Sequence, residues 1–320
     1  MKPVAVAAFV AGAAILILLV LHAGVPVLVE ALAALGISGL LIIAVAHVPI
    51  MALLGTAWWI IGGGARRPGI ARFIWARAVR DASAEALPFS QLGGYVIGAR
   101  ALVLSGASAE WAGTSTLLDL ILELAAKVPY ILLGLALLAW FRPQLSGVSA
   151  IIAIVICAAV LAVWLQQRSV GWMARATARL FHRWPSLAKL HRDASAAFQE
   201  MTARRGAVRN SMLVHFLCWL LGAAETWLVF WLIHRTVALA PALVIDSLVG
   251  ALRAVSFFVP GALGIQEGGY VLLCGLFGLS PGTALALSLA RRARDLLLAA
   301  FVLPSWQWAE GRALPERFKS

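Results

Sequence analysis

Charge is what this 320-residue chain has least of: 12% of its residues are charged, against 62% hydrophobic. Soluble domains carry roughly 25% charge and about 45–50% apolar residues, so an ordinary water-facing surface cannot be built from this composition. No polar stretch is long enough to enclose a separate soluble core. Cysteine is scarce as well. Cys157, Cys218 and Cys274 all sit in apolar runs without CxxC spacing, which argues against a disulfide framework or a cysteine–metal cluster. The chain also lacks a Gly-x-Ser-x-Gly elbow, a P-loop, a Rossmann glycine pattern and HExxH. No catalytic residue, metal site or cofactor is therefore expected, and the chain is not expected to be an enzyme.

Acids are the rarer charge, 14 against 26 Lys and Arg, leaving a formal net charge of +12. That excess does not call for nucleic acid. In a membrane protein it marks cytoplasmic loops. The apolar run Val4–Leu21 has one lysine before it and no small-x-small site after it, so it reads as a retained span.

What is present in quantity is apolar sequence of bilayer length. A helical crossing needs about 20 mostly apolar residues, and six segments qualify: 3–21, 39–62, 113–140, 146–166, 211–234 and 282–305. Two further stretches are apolar but broken. Stretch 87–105 carries Pro88, Gly93, Gly94, Gly98 and Arg100; stretch 240–278 carries Asp246, Arg253, Pro260, Gly261, Gly264, Glu267, Gly268 and Gly269. Broken backbone is tolerated at membrane depth only inside protein or against water. The expected architecture is an all-α polytopic membrane protein, one integral domain over 1–320, with about six full crossings and two re-entrant hairpins.

Charge bias supplies the topology. Segment 65–80 has five arginines and no acid, and segment 168–209 has nine basic residues, so both should be cytoplasmic. An even number of crossings must separate them. Segments 113–140 and 146–166 already supply two, which makes 87–105 a re-entrant hairpin. The same count puts both termini in the cytoplasm and returns 240–278 to the outer side, as a hairpin or as two crossings. Within 168–209, Arg175, Arg179 and Arg183 interleave with Leu180, Phe181, Trp184 and Leu187 at helical spacing. That pattern predicts an amphipathic helix on an anionic membrane surface.

Shifting the sequence by 172 residues places Pro88 on Pro260, Gly106 on Gly278, Ser108 on Ser280 and Glu123 on Asp295. Two halves, about 39–140 and 211–312, then share one order of elements, and the crossing count gives them opposite orientation. Inverted repeats with broken helices at matching places mark transporters, whose substrate sites lie at the repeat interface.

Ionisable residues at bilayer depth face cavities or one another, because each costs at least ~2.5–3.5 kcal/mol on insertion scales. Asp119 and Glu123 share a helix face with Lys127; Arg291 and Asp295 lie beside Arg292 and Arg294; Glu225 is mid-span; Arg100, Arg253 and Glu267 belong to the broken stretches. Simple ion pairs, Glu123–Lys127, Arg291–Asp295 and Arg253–Glu267, account for some of them. One acid cannot neutralise the three arginines at 291, 292 and 294, and guanidinium forks suit a lipid headgroup. His22, His47, His215 and His234 could relay protons, but being scattered singly each reads first as a packing or interfacial residue.

With these residues in view, VPGALGIQEGGYVLLCGLFGLSPGTALALSLARRARDLLLA (259–299), LPFSQLGGYVIGARALVLSG (87–106) and LLDLILELA (117–125) resemble the membrane region of the lysylphosphatidylglycerol synthase/flippase-like family. The likeness is to its hopanoid-biosynthesis-associated (HpnL-type) branch and runs from about 39 to 312. It implies lipid flipping or trafficking in the bacterial cytoplasmic membrane. Partners would be membrane lipids, hopanoid or anionic, and other hopanoid-pathway proteins. The family's synthases also carry a cytosolic aminoacyl-transferase domain; none follows up to Ser320, so lipid aminoacylation is not expected. Family positions map onto Gln266, Glu267, Arg291, Arg292 and Asp295. The resulting expectation is a polar cavity where the hairpins meet. Arg100, Arg253, Gln266, Glu267, Arg291, Arg292, Arg294 and Asp295 would line it, Asp119, Glu123 and Glu225 would tune it, and Pro88, Gly93, Gly94, Pro260, Gly261, Gly264 and Gly268 would shape its backbone. The alternatives are a non-transporting accessory subunit and a membrane-embedded lipid-modifying enzyme.

Overall fold

The structure, a computed structural model, describes residues 25–63, 67–86, 90–167, 185–256, 259 and 262–317. Among these it is helical, with no strand: α1 (Val25–Gly62), α2 (Ile70–Ala86), α3 (Ser90–Leu104), α4 (Ala109–Phe141), α5 (Ser146–Gln167), α6 (Pro185–Ala203), α7 (Arg205–Leu232), α8 (Leu239–Val255), α9 (Ile265–Leu276) and α10 (Pro281–Arg317). Helices are what a chain without water to bond its backbone must form. The chain is an all-α polytopic membrane protein. Ala33–Gly62, Ala109–Phe141 and Arg205–Leu232 are long and apolar enough to cross a bilayer. Large apolar side chains stay outside throughout, with Ile37 79% and Trp140 80% exposed. A surface so apolar calls for lipid rather than water.

The segment 3–21, the stretch 168–184 with its expected surface helix, and Pro88, Pro260 and Gly261 fall outside the described residues. The remaining elements correct two expectations. Segment 65–80 is not a loop: from Ile70 it is α2, a 17-residue helix packed against α3. The first hairpin therefore begins near residue 70, and Arg77 and Arg80 lie inside the protein, 4% and 2% exposed. Charge bias reads them as solvated loop residues, but their charge is neutralised in the interior. Gly93, Gly94 and Gly268 are also not breaks, since they lie inside α3 and α9. Gly94 serves close packing instead, because a Cβ there would come 2.7 Å from Arg80 O and 2.8 Å from Ala84 Cβ. The break in the second hairpin is at Gly264, which holds φ +76 before α9.

Stretch 240–278 forms the second hairpin, α8 and α9. A shift of 172 now maps α1 onto α7, α2 onto α8, α3 onto α9 and α4 onto α10. The joints match in detail. Gly106 and Gly278 both have positive φ, +96 and +75. Two residues later, Ser108 Oγ accepts the Trp111 N–H and Ser280 Oγ accepts the Thr283 N–H, so each long helix starts on a serine cap. The halves run oppositely where they meet: His47 of α1 bonds Glu225 of α7, while Ile50 lies against Cys218. Numbers rise on one helix as they fall on the other.

Packing follows the same symmetry. α1 touches α10 and α7 touches α4; α2 touches α10 and α8 touches α4. One apolar core gathers Ile43, Phe230, Ile245, Tyr270 and Leu287 around the second hairpin. The other gathers Trp58, Phe73, Leu102, Leu118 and Leu122 around the first. On α10 the first core ends at Ala290 and Val302 packs on the second. The charges lie between them.

The paired glycine joints give a test with an internal control. Gly106→Ala and Gly278→Ala meet no neighbour within 4 Å, so their cost is backbone strain alone, about 1 kcal/mol. Gly113→Ala, equally unobstructed but helical, should stabilise by roughly 0.5–1 kcal/mol. Melting in detergent should show opposite shifts; three shifts of the same sign would refute this account of the joints.

Candidate functional site: a buried charge layer between the hairpins

Three groups of charged side chains occupy the layer between the cores. The first is built from helix spacing. Arg77 and Arg80, three apart on α2, face Asp119 and Glu123, four apart on α4. Arg77 binds both Glu123 oxygens at 2.9 and 3.0 Å and Asp81 at 2.8 Å. Arg80 reaches Asp119 at 2.7 Å and Glu123 at 2.5 Å. From α7, His215 Nε2 lies 3.1 Å from Asp119, and the Trp219 indole N–H points to the Glu123 carbonyl at 3.4 Å. Lys127 does not pair with Glu123. Its ammonium lies 4.0 Å from the Trp219 ring centre and its Nζ 3.5 Å from the Gly250 carbonyl.

The second group joins both halves. Arg291 of α10 donates to Asp246 of α8 and, at 2.7 Å, to Thr226 of α7. Thr226 and Tyr130 each donate to Asp246 at 2.8 Å. Arg294 donates to Glu225 and, at 2.6 Å, to Asp295; His47 of α1 lies 2.9 Å from the same Glu225.

The third group sits where the hairpins touch. Glu267 accepts from the Gly264 backbone N–H at 2.7 Å, from Ser288 at 2.8 Å and from Arg292 at 2.8 Å. The left-handed Gly264 thus aims its N–H at a carboxylate one turn ahead. Gln266 donates to Ser288 at 2.8 Å and accepts from Arg253 at 2.7 Å. Arg253, at the end of α8, also pairs with Glu85, at the end of α2. The two hairpins are therefore tied end to end by a salt bridge.

The simple pairs expected from sequence do not form among these hydrogen bonds. Glu123 takes Arg77 and Arg80, Arg291 takes Asp246, Asp295 takes Arg294, and Glu267 takes Arg292. Glu123, Arg291 and Glu267 thus take partners from other helices, while Asp295 takes its neighbour Arg294. Of the eleven residues expected to line or tune a cavity, ten belong to this layer. Arg100 does not: it binds Glu310 of α10 at 2.6 Å, away from the hairpin contact. Its counterpart at the other end is Arg142 of α4, which donates to the Leu276 carbonyl of α9 at 2.8 Å.

Sequence reasoning missed Arg77, Arg80 and Glu85, and took His47 and His215 for packing residues. A signal for the first three existed. The repeat shift lays 70–86 beneath 242–258, an apolar stretch already recognised as hairpin, so a second hairpin helix was due there. The layer also retains unmet polar capacity. Arg80 Nε, Ser83 Oγ, Ser211 Oγ and His215 Nδ1 are buried with no hydrogen-bond partner among the described residues. All four lie on α2 and α7, the helices flanking Asp119, so the polar capacity of the layer is not exhausted by its own side chains.

A buried ion pair is costly to half-remove, because the survivor stays charged and desolvated. Arg294→Gln should cost roughly 3–5 kcal/mol, and Arg294→Met with Glu225→Leu should recover much of that loss. Arg100→Gln, which breaks a partly exposed pair, should cost under about 1 kcal/mol. Thermal unfolding in one detergent ranks all three; equal losses at Arg100 and Arg294 would contradict the distinction.

No curated protein and no solved structure matches the chain. The family model described as the lysylphosphatidylglycerol synthase TM region matches residues 4–302. With that match spanning both helical halves and the charge layer between them, the chain belongs to the lysylphosphatidylglycerol synthase transmembrane-region family.

Proposed function

We propose that this protein is a lipid translocase, or lipid-trafficking protein, of the bacterial cytoplasmic membrane, acting on hopanoid or anionic lipids in the manner of the HpnL-type branch that its sequence resembles. The observation carrying this reading is the end-to-end contact of the hairpins through Arg253 and Glu85, inside a layer of buried and half-buried carboxylates and guanidiniums from both halves. Opposed halves around a fixed polar site are the architecture of alternating access. An anionic headgroup entering the layer would compete with Glu267 for Arg292 and with Asp246 for Arg291. Each exchange keeps the guanidinium compensated, and the displaced carboxylate must take up a proton, so that the headgroup would cross the midplane without a naked ion in hydrocarbon. His47, beside Glu225, and His215, beside Asp119, would relay that proton within the layer. The chemistry needed is displacement of ion pairs, with no bond made or broken in the lipid.

The completeness of the pairing also fits an accessory subunit whose charges only hold its helices in register. Reconstitution separates the two. Purified protein in liposomes should move labelled hopanoid or phosphatidylglycerol between leaflets, and Arg292→Gln should slow that movement at least tenfold while the protein stays folded. Absence of protein-dependent movement for both lipids would leave the accessory role; a chemically altered lipid would favour an enzyme.

A further inference from the structure

Away from the charge layer, α4, α6 and α7 enclose a lateral groove of about 480 Å³, open on one side. Ala126, Pro129 and Thr202 contribute to it, but its length is one face of α7: Arg205, Val208, Arg209, Met212, Leu213 and Phe216. These positions recur at three- and four-residue steps, so they form one stripe down the helix. The stripe is divided along its axis rather than around it. Its first turn is cationic, and the next two are apolar.

The cations at that end are crowded. Arg204 precedes α7 and lies against Gly63, and Arg67 packs over the Trp59 ring at 3.7 Å. Burial, and then the Arg204 guanidinium, lower the Arg67 pKa from its ordinary value. Arg205 and Arg209 are exposed, and Arg209 reaches Asn210 Oδ1 at 3.5 Å. Among the described residues neither forms a salt bridge. Charge bias alone would account for arginines at a helix end. It would not place two of them on the same face as a continuous apolar groove.

We infer that this groove is a binding site for an anionic phospholipid, with one acyl chain lying along Met212, Leu213 and Phe216 and the phosphate held by Arg205 and Arg209. The volume falls within the range of ligand pockets, and forked guanidinium–phosphate bonds suit the pair at the mouth. This site is separate from the hairpin layer and requires no translocation, so an equilibrium binding assay tests it whatever the flipping assay returns.

Delipidated full-length protein in neutral detergent can be titrated with dioleoyl phosphatidylglycerol or dioleoyl phosphatidylcholine and the bound fraction read by native mass spectrometry. Phosphatidylglycerol should bind about tenfold more tightly, because its phosphate charge is not offset by a headgroup cation as it is in phosphatidylcholine. Arg205→Gln with Arg209→Gln should reduce that preference to within about twofold. Leu213→Trp, at an exposed wall position, should weaken both lipids. Inorganic phosphate should not displace bound phosphatidylglycerol. Equal binding of the two lipids by the wild type, a preference undiminished in the double variant, or full displacement by phosphate would each overturn the assignment.

Discussion

An unpaired charge in hydrocarbon is the state this structure is arranged to avoid. Each insertion of a carboxylate or guanidinium costs several kcal/mol unless an opposite charge meets it. The helices are therefore positioned by where their charges can be met. α2 must lie against α4 so that Arg77 and Arg80 reach Asp119 and Glu123, and α10 must lie where Arg291 and Arg294 reach Asp246 and Glu225. Lipid supplies no hydrophobic drive between helices, so such pairs and close packing set the register. The tight approach of α3 to α2 at Gly94 and Gly98 is the packing side of the same arrangement.

That constraint also explains why the polar layer sits between two apolar cores. Each core is organised around one hairpin, and each hairpin's second helix is fastened to the end of the opposite half's long helix, α3 through Arg100 to Glu310 and α9 through Arg142. The hairpin ends then meet at Glu85 and Arg253. A lipid headgroup reaching this junction would find the guanidiniums already oriented by carboxylates, which is the preorganisation that an exchange of anions needs.

Much of this was legible in order along the chain. Apolar length placed the helices, the glycine-rich stretches marked the hairpins, and the 172-residue shift carried Gly106 onto Gly278 and Ser108 onto Ser280, both pairs now joints of one design. The charged residues were visible too, but their partners were not. Pairs at four-residue spacing looked sufficient because sequence shows only neighbours on one helix. Glu123 instead meets Arg77 and Arg80, more than forty residues earlier, and Glu225 meets Arg294. Arg77 and Arg80 misled most, since arginines in a run without acids read as a solvated loop rather than a buried helix.

By itself the sequence determined that the chain lives in lipid, that it is helical, and that it repeats. Those properties follow from composition, from the length of apolar runs and from glycine and serine at matched places, all of which act locally. Only the tertiary structure decided which charge neutralises which, that Arg77 and Arg80 of α2 face the protein interior, and that the hairpins touch. Ion pairing depends on distance in space, and charged groups far apart in sequence are brought within 3 Å only by the fold.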